Sequence, residues 1–321
     1  MNEGLVVDAL TVAYPLMSGT ILGADAVSFT VRPGERLGVV GESGSGKSTT
    51  ALALLRLIRP PGRIAGGRVV LNGTDLRTLD DEAMRAARLR VVSYIPQGAM
   101  NSLNPVKTVA AQMRDAILDH GGRVAPDAIA QALDSVDLPA RTARLYPHQL
   151  SGGMKQRVCI AIGMLLRPQL IIADEPTSAL DVVTQRQVMS TLGRLQKETG
   201  ACLILIGHDM GLMVQFVDRL AVMYAGRLVE LGTIAEVFRT PRHPYTRMLI
   251  DSVPTFENRG HFVGIPGTTP SLARLPPGCA FAPRCRFAMD LCRQERPQSR
   301  VVAPGRTVAC HLEEVALAPI C

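Results

Sequence analysis

The chain has 321 residues, 47% of them hydrophobic, only 4% aromatic and none of them Trp, which allows one large domain with an aliphatic core and an appendage. The best apolar run, Val158 to Leu166, stops at Arg167, well short of the ~20 residues that cross a bilayer. The net charge of +7 is matched by the excess of 11 Arg over 4 acidic residues between Arg239 and Arg306; this stretch is Pro-rich and lacks interleaved aromatics, which argues against a nucleic-acid surface.

The first residues, Met1-Asn-Glu-Gly4, lack the positive start of a secretory signal. A soluble, cytosolic chain is expected unless a partner holds it at a membrane. Leu5 to Tyr14 alternates loosely and predicts a strand; Val27 to Val31 predicts a second, and Pro33-Gly34 a turn into an apolar strand at Leu37 to Val40. Then comes Gly41-Glu-Ser-Gly-Ser-Gly-Lys-Ser48, running into a helix that starts at Lys47 and continues from Thr49 to Arg56. Strand, glycine loop and helix are the context that separates a phosphate-binding loop from a chance glycine turn. Gly41, Gly44 and Gly46, with Ser43 and Ser45 between them, let backbone N–H groups turn inward around an anion, and the helix start adds its positive end. Lys47 reaches β- and γ-phosphates, and the Ser48 hydroxyl suits a magnesium shell. Tyr14, ahead of this loop, suits stacking on a nucleotide base as well as packing on the sheet.

Arg68 to Leu71 predicts a strand and Asn72-Gly73 a tight turn. A short helix follows over Asp80 to Leu89, then a strand over Val91 to Ile95 that ends in Pro96-Gln97. Beyond a strand edge, Gln97 can touch magnesium or a water; alone it is an ordinary loop residue. From Lys107 to Leu166 the apolar spacing is helical, over Val109 to Leu118, Asp127 to Val136 and Gln156 to Leu166. This predicts a helical subdomain inserted into the sheet. It contains Leu150-Ser-Gly-Gly-Met-Lys-Gln-Arg157, where Ser151 caps a helix and Gly152 and Gly153 expose N–H groups at its start. One triphosphate rarely needs two anion sites in one chain, so this second site is expected to complete the pocket of another subunit.

Leu170-Ile-Ile-Ala-Asp174-Glu175-Pro176 reads as a buried strand that delivers two carboxylates at its end. Asp174 suits magnesium held through water, and Glu175 suits orienting or deprotonating the attacking water. Ser178-Ala-Leu-Asp181 leads into a helix from Val182 to Lys197. Cys202 to Gly207 is another buried strand, with His208 at its end, where it is placed to contact a γ-phosphate. Ala221 to Tyr224 and Arg227 to Glu230 predict a hairpin, and Ile234 to Phe238 a short helix.

In this order, the phosphate loop, Gln97, LSGGMKQR, the hydrophobic run into Asp174-Glu175, SALD and His208 resemble the ATP-binding subunits of ABC transporters over about residues 5 to 235. LSGGMKQR is the most specific of these, since other phosphate-loop ATPases lack it. The resemblance implies an α/β P-loop NTPase cassette, a mixed sheet core with an inserted helical subdomain at about 98–166. The ATP-binding domain would span 1–238, with a small Cys-rich extension at 239–321. It also implies ATP and Mg2+. Tyr14 would stack on adenine, Gln97 would couple magnesium to membrane subunits, Glu175 would be the catalytic base and His208 would contact the γ-phosphate. Ser151, Gly152 and Gly153 would close on the partner's ATP, with Asp181 also at nucleotide.

The tail narrows the resemblance. Arg242-His-Pro-Tyr-Thr246, Gly278-Cys-Ala-Phe-Ala-Pro-Arg-Cys285 and Gln97-Gly-Ala-Met-Asn-Ser-Leu-Asn-Pro105 look like the oligopeptide/dipeptide-permease subfamily. Gly98-Ala99 replaces the commoner Asp-Pro, and Gly207 stands where Thr often precedes the histidine. The resemblance implies an ATP-hydrolysing subunit of an importer of di- and oligopeptides; nickel importers share most of the pattern, so nickel or another small solute is the alternative cargo. The implied partners are a second, homologous ATPase subunit forming a heterodimer, two transmembrane permease subunits and an extracytoplasmic solute-binding protein, with no nucleic acid. The implied location is peripheral, on the cytoplasmic face of the cell membrane. A soluble ABC-type ATPase acting on nucleic acid or ribosomes usually carries two cassettes in one chain, and only one is present. A non-enzymatic regulatory cassette predicts a lost Glu175 or a damaged phosphate loop, and both are intact.

Of seven cysteines, Cys159 and Cys202 fall in apolar periodic segments and read as core, and Cys321 is the last residue. Cys279, Cys285, Cys292 and Cys310 have five, six and seventeen residues between them. Disulfides do not suit a cytosolic ATPase, and zinc usually shows closer Cys pairs. Spacing alone leaves open a cluster, zinc and no metal; the resemblance points to [4Fe–4S]. Arg284, Arg286, Arg293 and Arg296 are placed to offset a cluster's negative charge, and His311 adjoins Cys310 without being needed as a ligand. The segment from Thr255 to Pro319 shows no sustained period, so metal bonds are its expected source of order.

Overall fold

Apolar residues at the expected spacings become the elements of a computed structural model that describes residues 3–17, 19–98, 102–178, 180–252 and 265–313. Ala99, Met100 and Asn101 of the loop after Gln97, Ala179 of SALD, the tail segment 253–264 and Cys321 lie outside the described residues. The chain divides into two units, one of Met1–Leu5, Val31–Glu35 and Thr78–Leu205, the other of Val6–Thr30, Arg36–Arg77 and Ile206–Cys321.

In the first unit, β6 (Val92–Ile95) and β7 (Leu170–Asp174) pair in parallel, with Tyr94 opposite Ile172 and Ile95 opposite Ala173. β7 is buried at every position, so its unbroken Leu-Ile-Ile-Ala run suits a strand covered on both faces. β8 (Cys202–Ile206) lies beside it. The helical stretch forms as expected: α2 (Asp81–Ala87) is capped by Asp80, α3 (Val109–Leu118) by Thr108, and α4 (Ala128–Asp134) follows. α5 (Gly152–Met164) starts directly after Ser151, as the capping reading expects, four residues ahead of the stretch from Gln156 that carries the helical period. Glycines hide that first turn from a periodicity reading. α6 (Val182–Thr199) ends on Gly200 in the left-handed region.

In the second unit, β1 (Leu5–Leu16), β2 (Gly19–Val31), β4 (Arg63–Leu71) and β5 (Thr74–Asp75) form a sheet in the order β2-β1-β4-β5. Val70 pairs with Asp75 and Leu71 with Thr74 across the Asn72-Gly73 turn. A second group runs β11-β12-β10-β9-β3. There β3 (Arg36–Val40) is parallel to β9 (Arg219–Tyr224), and β9 and β10 (Arg227–Thr233) make the predicted hairpin. Parallel and antiparallel pairs together make a mixed architecture. Around it stand α1 (Lys47–Leu54), α7 (Met210–Phe216) and α8 (Ile234–Arg239). Cys159 and Cys202 are buried as expected, and burial pushes their thiols up to about 12 and 11.

α9 (Pro244–Asp251) precedes the segment expected to lack regular structure; within that segment the chain nonetheless forms α10 (Asp290–Gln294), β11 (Arg300–Ala303) and β12 (Arg306–Val308). β12 adds to the edge of β10, Glu230 opposite Val308 and Leu231 opposite Thr307. Strands this short carry no readable period, and an existing edge supplies their order. Arg306 donates to Glu230 at 2.9 Å with both side chains almost fully buried. The backbone N–H groups of Arg242 and His243 also donate to this carboxylate, at 2.9 Å each, so the buried charge is met by several donors. Metal bonds are therefore not the only source of order in this segment. Among the described residues no helix is long and apolar enough to cross a membrane.

Candidate nucleotide site

The phosphate loop leaves β3 and enters α1 as its sequence requires. Gly41 and Gly46 have φ of 151° and 100°, and a Cβ at either would collide with a backbone carbonyl, of Met223 or of Gly23. Gly46 is the N-cap of α1. The Lys47 ammonium, almost buried, lies over the loop's own oxygens, donating to Gly41 O at 2.8 Å and Glu42 O at 2.9 Å. Ser45 is fully buried; its N–H donates to Glu42 O and its carbonyl accepts from Gly226 N–H at 2.9 Å. Ser48 and Thr49 sit in the first turn of the helix. Tyr14, half-buried on β1, packs its ring edge on Gly23 and Gly62, and Thr49 also reaches Gly23. His208 follows β8 and is exposed.

Glu42, the second residue of the loop, is fixed by groups from the far end of the chain that no sequence signal links to it. Arg284 grips its carboxylate with a two-pronged fork, at 2.6 and 2.9 Å, and Thr269 Oγ1 donates at 3.1 Å. The Glu42 N–H donates to Tyr245 Oη at 2.8 Å. Hydrogen bonding from Arg284 is the main cause that holds the Glu42 carboxyl below its ordinary range, against the opposing effect of burial. Tyr245 lies in a cluster with Tyr224 and Phe281, ring centroids 4.6 to 5.4 Å apart, in a chain poor in aromatics. His243 is fully buried and burial drops it to about 3, so it is neutral; its Nδ1 accepts from Tyr245 N–H at 3.0 Å.

In the other unit, the parallel register of β6 and β7 brings four polar side chains together at one end. Tyr94 Oη donates to Asp174 Oδ2 at 3.0 Å, and Gln97 Nε2 donates to Glu175 Oε2 at 2.6 Å. Asp174 is almost fully buried, and burial first, then the Asp174 charge, pushes the Tyr94 hydroxyl well above its usual range, so it stays a donor. Glu175 has φ of 45°, a left-handed conformation for a non-glycine residue at the strand end. Gln97, a weak signal alone, is thus placed on a predicted catalytic residue; Tyr94, on the strand that precedes it, had no sequence signal at all. Ser151 is exposed and its Oγ accepts from Met154 N–H at 3.3 Å, with Gly152 and Gly153 opening α5. Gly153 is buried against Thr184. Asp181 caps α6, accepting from Thr184 N–H at 3.0 Å and Thr184 Oγ1 at 2.6 Å; these bonds lower its pKa.

The four tail cysteines share one neighbourhood. Cys279 N–H donates to Cys292 O at 2.8 Å, and Cys310 interacts electrostatically with Cys279, Cys285 and Cys292. None is in a disulfide, and burial pushes the Cys310 thiol up to about 11. Four thiols are the donor chemistry of a four-thiolate centre, but among the described residues no three His, Cys, Asp or Glu side chains stand close enough to hold a metal ion. The four arginines expected to offset a cluster charge are mostly committed elsewhere: Arg284 to Glu42, Arg293 to Asp290 and Arg296 to Asp25. Arg286 acts on Cys285 but also lies over Phe287. His311 turns its Nε2 to Glu295 O at 2.9 Å.

Comparison with known proteins places these features in one family. Residues 24–178 match the ABC transporter family and 229–292 the oligopeptide/dipeptide transporter C-terminal region. The chain is 42% identical to the oligopeptide transport ATP-binding protein OppD of Salmonella typhimurium, over 96% of this chain and 93% of that protein. It is also 42% identical to the dipeptide transport ATP-binding protein DppD of Escherichia coli, over 96% of each. A solved dimeric ATP-binding cassette in a post-hydrolysis state, bound to ADP and Pi, covers 72% of this chain at 27% identity, with a TM-score of 0.64. The chain therefore belongs to the ATP-binding proteins of the ABC transporter family, in the branch that carries the oligopeptide/dipeptide transporter C-terminal region.

Proposed function

We propose that this chain hydrolyses ATP to power import of di- and oligopeptides across a bacterial cytoplasmic membrane. What carries the reading is 42% identity over nearly the full length of proteins named for oligopeptide and dipeptide transport, with the extension included. We take 1–238 as the ATP-binding domain, with its helical subdomain at about 98–166, and 239–321 as the extension. The chain works at the cytoplasmic face as a peripheral subunit, with a homologous ATPase partner, two transmembrane permease subunits and an extracytoplasmic solute-binding protein.

Each residue has a part in the cycle. Tyr14 stacks on adenine. The backbone of Gly41 and of residues 43–49, with the Lys47 ammonium, holds the phosphates, Lys47 exchanging its loop carbonyls for phosphate oxygens. Ser48, Asp174 and Gln97 would hold magnesium, Asp174 through water, and the ion would supply charge neutralisation at the phosphates. Tyr94 orients the Asp174 carboxylate. Glu175 takes the proton of the attacking water, and His208 contacts the γ-phosphate. Ser151, Gly152 and Gly153, with Asp181, act on the nucleotide of the partner subunit, so ATP joins two subunits head to tail and hydrolysis releases them. Reconstitution of the chain with its permease subunits tests the reading: ATP turnover should rise with peptide and not with nickel.

We also propose that Cys279, Cys285, Cys292 and Cys310 hold a structural [4Fe–4S] cluster, supported by four thiols grouped without disulfides. Anaerobically purified protein should be brown, with about four iron and four sulfide per chain. Cys285→Ser should lose the colour and make residues around 279–292 protease-sensitive. Stoichiometric zinc without acid-labile sulfide, in protein never exposed to oxygen, would sink the cluster.

A further inference from the structure

We propose that Arg284 and Tyr245 of the C-terminal extension are positioning residues for the phosphate loop, so that the seating of the extension sets the affinity for ATP. The inference rests on the ATP-binding reading above. Phosphate loops bind through backbone N–H groups whose directions must be set before the anion arrives. Here the second residue of that loop is held at two points, and both holds come from the far end of the sequence. The Glu42 backbone is fixed by Tyr245, whose hydroxyl accepts its N–H at 2.8 Å. The Glu42 side chain is fixed by the Arg284 fork at 2.6 and 2.9 Å.

The anchors are themselves rigid. The Arg284 side chain is only 5% exposed, its Nε donates to Pro266 O at 2.8 Å and one Nη to Tyr224 Oη at 3.2 Å. Tyr245 is fully buried in its aromatic cluster and its backbone is tied to the neutral His243. A planar, bidentate guanidinium fixes direction as well as distance, which a lysine cannot do. The grip reaches the catalytic cation too. Lys47 Nζ rests on Glu42 O at 2.9 Å, and Ser45 N–H donates to the same carbonyl at 3.1 Å. Release of Glu42 therefore loosens the carbonyl that parks Lys47 and pins Ser45. Arg284 directly precedes Cys285 in the chain, so ordering of the thiol group and seating of the guanidinium are covalently linked.

The test measures MgATP binding by the full chain, and KM and kcat of the assembled transporter, for Arg284→Gln, Arg284→Lys, Glu42→Gln, the Glu42→Gln/Arg284→Gln pair and Tyr245→Phe. Arg284→Gln should weaken MgATP about tenfold, with KM rising while kcat stays within about twofold. Arg284→Lys should recover only part of the loss. The double variant should be no weaker than Arg284→Gln alone, because the two side chains act through one contact. Tyr245→Phe keeps the ring and tests the backbone hold if Arg284→Gln does not fold; it should weaken MgATP about threefold. Unchanged affinity in both Arg284→Gln and Tyr245→Phe, or strictly additive losses in the pair, would overturn the proposal. A wild-type chain that binds no MgATP would instead overturn the ATP-binding reading on which it rests.

Discussion

Glu175→Gln is expected to keep MgATP binding and lose turnover by about 10²–10⁴-fold in the assembled transporter, the usual contribution of a positioned general base. Glu175 stands just beyond a fully buried strand, in a left-handed conformation that a side chain rarely adopts. Strain of that kind persists where surrounding structure fixes it, and here Gln97 holds the carboxylate at 2.6 Å. The amide substitution keeps size and one acceptor oxygen but removes the group that takes the proton. Fold and nucleotide affinity should therefore be spared, and the trapped ATP should hold paired subunits together. Turnover within about threefold of wild type, measured with binding verified, would show that another group activates the water.

The second large effect concerns pairing. Lys47→Ala and Ser151→Arg should each abolish turnover when both subunits of a tethered pair carry the same substitution. Lys47 lies over the loop oxygens of its own phosphate site. Ser151 caps the exposed start of α5, where arginine would replace the cap and crowd an arriving phosphate. If Ser151 to Gly153 act on the partner's nucleotide, a mixed pair holds one site with both lesions and one with neither. Its turnover should return through the intact site. Turnover as low as in either matched pair, with pairing verified, would contradict action across the subunits.

Much of the site was legible because its chemistry is local. The phosphate loop needs glycines at positions where a Cβ collides, and Gly41 and Gly46 meet that need. The run into Asp174 is buried along its whole length, as an unbroken apolar strand should be. Ser151 caps the helix that follows, as its place before Gly152 and Gly153 implied. What stayed hidden depends on contacts between distant parts of the chain. Tyr94 meets Asp174 only because two parallel strands share a register. Arg284 looked like a counter-charge for the cysteines, but Glu42 is its partner, 242 residues away. The short strands β11 and β12 form because β10 offers an edge, and three or four residues carry no period of their own. Glu230 is buried with its charge because Arg306 comes from one of those strands.

The most direct test of the whole account is made in sealed proteoliposomes containing this chain, its ATPase partner and its two permease subunits. ATP is supplied on the ATPase side, and labelled dipeptide or oligopeptide with the solute-binding protein on the other. The account predicts ATP-dependent peptide accumulation that is lost with Glu175→Gln, together with ATP turnover that rises on adding peptide. Turnover indifferent to every peptide supplied, or stimulated by nickel instead, in a complex shown to be intact, would contradict it.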